Sequence, residues 1–192
     1  MKTDAMKITL NFVEKINQGD IQGLITLLAP DHTFIDTQGD VENDHQKIIE
    51  GWQNYLECYP NYQIYIRRTF LTKNRTVLIG HTTGSHLNLP DTKEFHGEGV
   101  IWVSQVDEAK LTLWRLLHDT VENYQRLNLE KCHEIFAPAW FAATIAKHLD
   151  LLPPESRTRD VRNVRKYYSR LYRHAPPETM LAIAEHLLFD QG

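Results

Sequence analysis

The sequence predicts an α+β fold: a curved antiparallel sheet packed on three N-terminal helices, followed by an all-helical C-terminal extension. Apolar residues recur at helical spacing up to Cys58, alternate at strand spacing from Tyr62 to Thr120, and return to helical spacing afterwards. Helices followed by a run of strands are typical of α+β proteins, whereas parallel α/β sheets alternate the two element types.

Three helices are predicted before the strands. They cover Asp4–Asn17, Ile21–Leu28 and His45–Cys58. Gly19 is suited to end the first helix because glycine adopts left-handed backbone conformations at low cost. Asp20 and Asp44 are suited to cap the next two helices. Pro30 is expected to stop the second helix.

Strand signals follow the helices, apart from one short strand expected earlier over Asp31–Asp36. The long strands are predicted over Tyr62–Leu71, Arg75–Leu87, Glu94–Val106 and Lys110–Thr120, with Asn88–Thr92 as a turn. Strand alternation places His81 on the face of Val77 and Ile79. It likewise places His96 on the face of Val100 and Trp102. Each of these two faces is a candidate for the face that lines the cavity.

The chain divides into an α+β domain over residues 1–122 and a helical extension over 123–192. Residues 1–120 carry 11 Lys and Arg against 16 Asp and Glu, whereas residues 121–192 carry 10 against 9. Arg157–Arg173 is strongly basic and contains tyrosines, a pattern that either binds nucleic acid or forms a solvated amphipathic helix. The net charge of −4 favours the second interpretation, so no nucleic-acid partner is predicted.

Composition narrows the class of protein. The hydrophobic fraction of 42% and the charged fraction of 24% are those of a globular chain. No apolar run reaches the ~20 residues of a membrane span, and the first residues lack a signal-peptide pattern. Two cysteines, Cys58 and Cys132, make neither a disulfide framework nor a zinc site. We therefore predict a cytoplasmic protein with free thiols, no metal, no cofactor and no membrane partner.

Four ordered motifs resemble a known family. Residues 12–31, FVEKINQGDIQGLITLLAPD, resemble the opening of nuclear-transport-factor-2-like domains, and His32–Asp36 resembles their first strand. Residues 58–64, CYPNYQI, resemble the "F-P-D-y-x-i" junction of the SnoaL-like polyketide cyclase branch. The pair HTTGS and LPDTK resembles that branch's "T-H-T-G … P-T-G-K" hairpin, and residues 110–119 resemble its "K-I-x-E-x-W-x-x-x-D" strand. The resemblance covers about residues 5–122.

This resemblance implies a cone-shaped sheet around an apolar cavity. The family contains isomerases, dehydratases, epoxide hydrolases and polyketide cyclases, together with non-enzymatic binding domains, so the fold does not settle the function. The chain departs from the family motifs at three places, one of which is the missing glycine before Lys93. Thr82 stands where a histidine is usual, and His118 stands where the closing aspartate is usual, one residue before Asp119. Either a bulge returns Asp119 to the cavity or His118 replaces it.

Acid–base groups are the candidate catalytic residues. They are Asp36, His81, His118 and Asp119. Asp36 matches the position of the proton-shuttling aspartate of ketosteroid isomerase, although the oxyanion-donating position of that enzyme falls near Gly99. A carboxylate or imidazole in an apolar cavity suits proton transfer near neutral pH. Turn hydrogen bonds, ordinary burial and surface ion pairs are the structural alternatives for the same residues.

Large aromatic and polar residues are the candidate ligand-binding set. They are His32, Phe34, Trp52, Tyr55, Tyr59, His96, Glu98, Trp102 and Trp114. Such residues suit the wall of an apolar pocket, or equally an ordinary core. We predict a protein that binds a small hydrophobic molecule as a homodimer, either as a cofactor-free lyase, isomerase or hydrolase of a carbonyl or polyketide-like compound, or as a non-catalytic sensing or interaction module that uses its helical tail.

Overall fold

A computed structural model describes residues 2–72, 75–135 and 137–153 of the chain. The helices are α1 (Lys2–Gln18), α2 (Ile21–Leu27), α3 (His45–Cys58), α4 (Asp91–Phe95), α5 (Val121–Arg126) and α6 (Pro138–Asp150). The strands are β1 (Leu28–Ile35), β2 (Val41–Glu42), β3 (Gln63–Leu71), β4 (Arg75–Thr83), β5 (Val100–Asp107), β6 (Lys110–His118) and β7 (His133–Glu134). The predicted α+β class is confirmed.

The first three helices end and begin where the sequence predicts. Gly19 has a φ of +64° immediately after α1. The Asp20 carboxylate accepts a hydrogen bond from Gly23 N at 2.8 Å and caps α2. The Asp44 carboxylate accepts from the backbone N–H groups of Gln46 and Lys47 at the start of α3. These three predictions are confirmed.

The seven strands form one sheet in the order β2-β1-β6-β5-β4-β3-β7. The predicted four-strand meander is present, because β3, β4, β5 and β6 pair in sequence and antiparallel. The sheet is mixed, however, since β1 pairs parallel with β6. Pro30 lies inside β1 at a register irregularity between Leu28 and Thr33, where its missing N–H removes no regular ladder bond.

Two segments differ from the predicted strands and helices. The strand expected from Glu94 begins only at Val100, because residues 91–95 form α4 after Pro90. A five-residue helix is too short to show a helical period in the sequence. The extension over 123–192 was predicted to be all-helical, whereas the chain after Thr120 forms α5, a 3₁₀ turn and strand β7, which pairs with β3.

Both faces of the sheet are covered. On one face, Phe12 of α1 packs against Trp114, and the Thr9 and Ser104 hydroxyls lie 2.6 Å apart. On the other face, a buried cluster is covered by residues of the segment after β6; it comprises Phe70, Val77, Ile79, Ile101, Val103, Leu117 and Leu129. Successive residues of the central strands, which point to opposite faces of the sheet, are therefore both apolar.

The described residues up to 135 form one compact unit, and the described residues 137–153 belong to a second. Within the second unit, α6 begins with Pro138 in its first turn and carries the buried residues Phe141 and Ile145. The basic segment 157–173 and the final predicted helix lie outside the described residues. None of the described helices has the length and apolar character needed to cross a membrane.

Candidate functional site

A cavity of about 810 Å³ lies within the first unit, between α3, α4 and the sheet. Five of the predicted aromatic residues line it: Phe34, Trp52, Tyr55, Trp102 and Trp114. Trp52 is held edge-to-face against Phe34, with ring centroids 6.2 Å apart. Tyr59 is not among the lining residues and instead packs on Tyr55, with ring centroids 4.9 Å apart. The wall therefore combines aromatic rings with aliphatic and polar residues and suits a largely apolar ligand.

Asp36 lines this cavity directly after β1. Its Oδ1 accepts hydrogen bonds from Gln38 N at 2.8 Å and Asp40 N at 2.9 Å. The carboxylate thus closes a turn through one oxygen. Asp36 therefore both accepts the hydrogen bonds of this turn and lies at the cavity wall.

His118 also lines the cavity, at the end of β6. Trp114, Leu116 and His118 all line it, because the strand alternation runs without a bulge over this stretch. His118 Nδ1 lies 3.5 Å from Glu98 Oε2, and Glu98 is a lining residue as well. Of the two alternatives for the closing strand, the structure therefore places His118 at the cavity.

Asp119 is not among the lining residues. It is paired with Arg67, whose guanidinium donates to Asp119 Oδ2 at 3.0 Å. Arg67 is the extra residue of a bulge in β3, between Ile66 and Arg68, which re-aims its side chain. The pair is partly buried, with 27% of the Arg67 and 21% of the Asp119 side chain exposed. A structural ion pair accounts for this aspartate.

His81 lies on the face of Val77 and Ile79, as alternation predicts, but this face does not line the cavity. It shares the alternation class of Val77 and Ile79, which belong to the buried cluster on the opposite face. Its ring stacks on Phe95 with centroids 5.5 Å apart. Burial lowers the pKa of His81 to about 4, and the positive charge of Arg67 acts in the same direction. His81 is thus a neutral, packed imidazole at pH 7.

His32 and His96 also lie away from the lining residues. His32 is fully buried, and its Nδ1 donates to the Leu111 carbonyl oxygen at 2.9 Å. Burial lowers the pKa of His32, so the ring stays neutral. His96 follows α4 and is exposed, because the strand on which it was placed begins only at Val100.

Glu94 is the residue that sequence reasoning missed. It lines the cavity yet is only 4% exposed. Its Oε1 accepts from Thr82 Oγ1 at 2.5 Å, and its Oε2 accepts from Ser85 N at 3.2 Å. Glu94 was interpreted as the first residue of a strand. The sequence signal for this site was the pair of motifs HTTGS and LPDTK, in which Thr82 stands in place of the family histidine.

Two tyrosines lie near this carboxylate. Burial raises the pKa of Tyr55 to about 12, and the Tyr55 hydroxyl oxygen lies 3.1 Å from His86 Nδ1. Burial raises the pKa of Tyr62 well above its usual range. The charge of Glu94 contributes to both pKa shifts in the same direction. Both phenols therefore remain protonated at neutral pH and can donate hydrogen bonds.

No group of three or more His, Cys, Asp or Glu side chains in the described ranges is arranged to hold a metal ion. Cys58 and Cys132 are free thiols. The described cavity thus presents aromatic walls, carboxylates, histidines and phenols.

A family model described as the SnoaL-like domain matches residues 10–113. The chain belongs to the SnoaL-like family. This match confirms the predicted resemblance and the nuclear-transport-factor-2-like fold that it implies. No curated protein matches the chain in sequence.

Solved structures with the fold of this SnoaL-like chain share little sequence with it. Bal32a from a soil-derived mobile gene cassette has a TM-score of 0.52 at 10% identity, covering 65% of this chain and 96% of that one. An LEH-like epoxide hydrolase from M. tuberculosis has 0.50 at 13%, covering 66% and 91%. TerC, co-crystallised with polyporic acid, has 0.50 at 15%, covering 65% and 98%. At these identities the likeness shows the fold alone.

Proposed function

We propose that this SnoaL-like protein binds a small, largely apolar molecule in the cavity of its first unit. The observation that carries the proposal is the cavity itself: about 810 Å³, walled by aromatic rings. Pockets of this size and lining commonly enclose small-molecule ligands. One neighbour in fold was crystallised with polyporic acid, and another is an epoxide hydrolase, which is in keeping with a ligand of this class.

Gly51 offers a direct test of binding. It lines the cavity from α3, and a Cβ added there meets nothing within 4 Å. Gly51→Phe should therefore fold and partly fill the cavity, whereas Gly51→Ala adds one methyl group and serves as the matched control. Nile red, a neutral apolar dye, is the probe, and its fluorescence is titrated with the full chain. We expect Gly51→Phe to weaken binding about tenfold or more and Gly51→Ala to change it little. Equal affinity in all three proteins would contradict the proposal.

Acid–base catalysis without a cofactor is the finer part of this proposal. Asp36 and His118 line the same cavity, and a carboxylate with an imidazole can remove and return a proton. The substrate class is a hydrophobic carbonyl or polyketide-like compound. A lyase, isomerase or hydrolase of such a compound would begin or end with this proton transfer.

Deuterium exchange of 2-tetralone, an apolar bicyclic ketone with acidic α-protons, tests this chemistry without knowledge of the natural substrate. Asp36→Asn keeps a carbonyl oxygen for the turn hydrogen bonds and removes the base. Asp40→Asn, in the same turn but outside the lining, is the control. Exchange in D₂O should fall about 10²-fold or more in Asp36→Asn alone. Dye binding without any exchange would favour the alternative, a non-catalytic ligand-sensing or interaction module.

The homodimer remains part of the proposal. Light scattering of the full chain in solution should give twice the mass of one chain. A single-chain mass at all concentrations would contradict self-association.

A further inference from the structure

Glu94 is a buried carboxylate with no cationic partner among the described residues. It is 4% exposed, and no described lysine, arginine or histidine lies within ion-pair distance of it. A carboxylate taken out of water without compensation is strongly destabilised. Hydrogen-bond donors must therefore offset the cost of burying this carboxylate at the cavity that it lines.

The protein satisfies Glu94 only in part. Thr82 Oγ1 donates to one carboxylate oxygen and Ser85 N donates to the other. An ionised carboxylate has about four acceptor positions. Two acceptor positions are thus left for a molecule in the cavity.

Tyr62 supplies the complementary group. Its side chain is 7% exposed and lines the cavity, and its phenol remains protonated near the Glu94 charge. Its hydroxyl has no hydrogen-bond partner within the described ranges, whereas that of Tyr55 lies against His86. Tyr62, a donor, and Glu94, an unsaturated acceptor, thus line the same cavity. A hydroxyl group matches this pair because it can donate and accept, whereas an ammonium group can only donate.

We propose that Glu94 is the specificity-determining residue of the cavity and selects an apolar ring compound that carries a hydroxyl group. The hydroxyl donates to a free acceptor position of Glu94 and accepts from Tyr62. The rings lie against the aromatic wall. This inference rests on the proposed function, because it specifies the ligand of the same cavity.

The test compares 2-naphthol with 2-methoxynaphthalene, in which a methyl group replaces the hydroxyl proton. Their affinities are measured by displacement of Nile red from the full chain at pH 7. The wild-type protein should bind 2-naphthol at least about tenfold more tightly than 2-methoxynaphthalene, because a hydrogen bond to a charged group contributes a free energy of that size. Glu94→Gln should reduce this preference several-fold with little loss of 2-methoxynaphthalene binding. Glu57→Gln, which changes an exposed carboxylate outside the cavity lining in the same way, should retain the preference.

The outcomes separate the two claims. Equal affinity of the wild-type protein for both probes would overturn the role of Glu94 while leaving ligand binding intact. An unchanged preference in Glu94→Gln would do the same. If Nile red bound and neither probe displaced it, the role of Glu94 would fail, whereas Nile red affinity that is equal in the wild type and Gly51→Phe would overturn the proposed function itself. Should Glu94→Gln not fold, the wild-type preference and its reduction in Tyr62→Phe decide the matter.

Discussion

The Thr82 hydroxyl donates a 2.5 Å hydrogen bond to the Glu94 carboxylate and thereby joins the end of β4 to α4. Both side chains are buried, at 8% and 4% exposure. The bond fixes the only described carboxylate that is buried within the cavity lining. It also gives the polar side chain at position 82 a buried partner at the cavity wall.

Thr82→Val should lower the free energy of unfolding by about 1–3 kcal/mol, because it leaves a buried carboxylate with one hydrogen bond. Urea denaturation of the full chain measures the change. Thr112→Val is the matched control, since the Thr112 hydroxyl makes only a 3.4 Å contact with the Gln105 carbonyl. Similar losses in both variants would show that the hydrogen bond to Glu94 has no special weight.

Gly80→Ala should be strongly destabilising. A Cβ at Gly80 would lie 1.8 Å from the Tyr65 carbonyl oxygen, at the bulge that re-aims Arg67. Such a clash with backbone costs about 3 kcal/mol. Gly51→Ala, in open space on α3, should instead be neutral or stabilising by up to about 1 kcal/mol. Thermal unfolding of the two alanine variants checks this contrast, and equal stability would refute the bulge geometry.

Stability should fall as the pH drops from about 6.5 to 4, partly through His81. The unfolded imidazole binds a proton near its ordinary pKa of 6.5, whereas burial and Arg67 lower the pKa of folded His81 to about 4. Below 6.5 the unfolded chain therefore binds more protons, and above 6.5 the contribution is constant. One such group adds a slope of at most about 1.4 kcal/mol per pH unit.

His81→Gln isolates this contribution. The difference in unfolding free energy between the wild type and His81→Gln should shrink between pH 7 and pH 4.5, as measured by urea denaturation. A difference that stays constant over that range would show that His81 takes up protons equally in both states.

Asp119→Asn should affect stability rather than proton transfer. The Arg67–Asp119 pair is partly exposed and lies away from the lining residues, so its loss should cost about 1 kcal/mol or less. Exchange of 2-tetralone should remain close to the wild-type rate. A large fall in exchange, comparable with that of Asp36→Asn, would restore Asp119 as an acid–base residue.

Local signals in the sequence were sufficient for most of the fold. Asp20 and Asp44 cap helices by hydrogen bonds to residues two or three positions away, so their roles depend on neighbouring sequence alone. The alternation from Trp114 to His118 likewise follows from strand geometry.

Long-range packing decided the features that the sequence did not predict. Alternation places His81 correctly beside Val77 and Ile79, but it does not show which face lines the cavity, because apolar residues cover both faces of the sheet. Arg67 reaches Asp119 only through a bulge. Glu94 is turned inward by a helix of five residues, too short to produce a periodic pattern.

The central claim is that the cavity holds an apolar, hydroxyl-bearing molecule. A crystal structure of the full chain grown with 2-naphthol tests it most directly. We predict electron density for the rings beside Trp52 and Trp102, with the hydroxyl oxygen about 2.7 Å from a Glu94 carboxylate oxygen. A cavity filled by its own side chains, or naphthol bound only on the surface, would contradict the account.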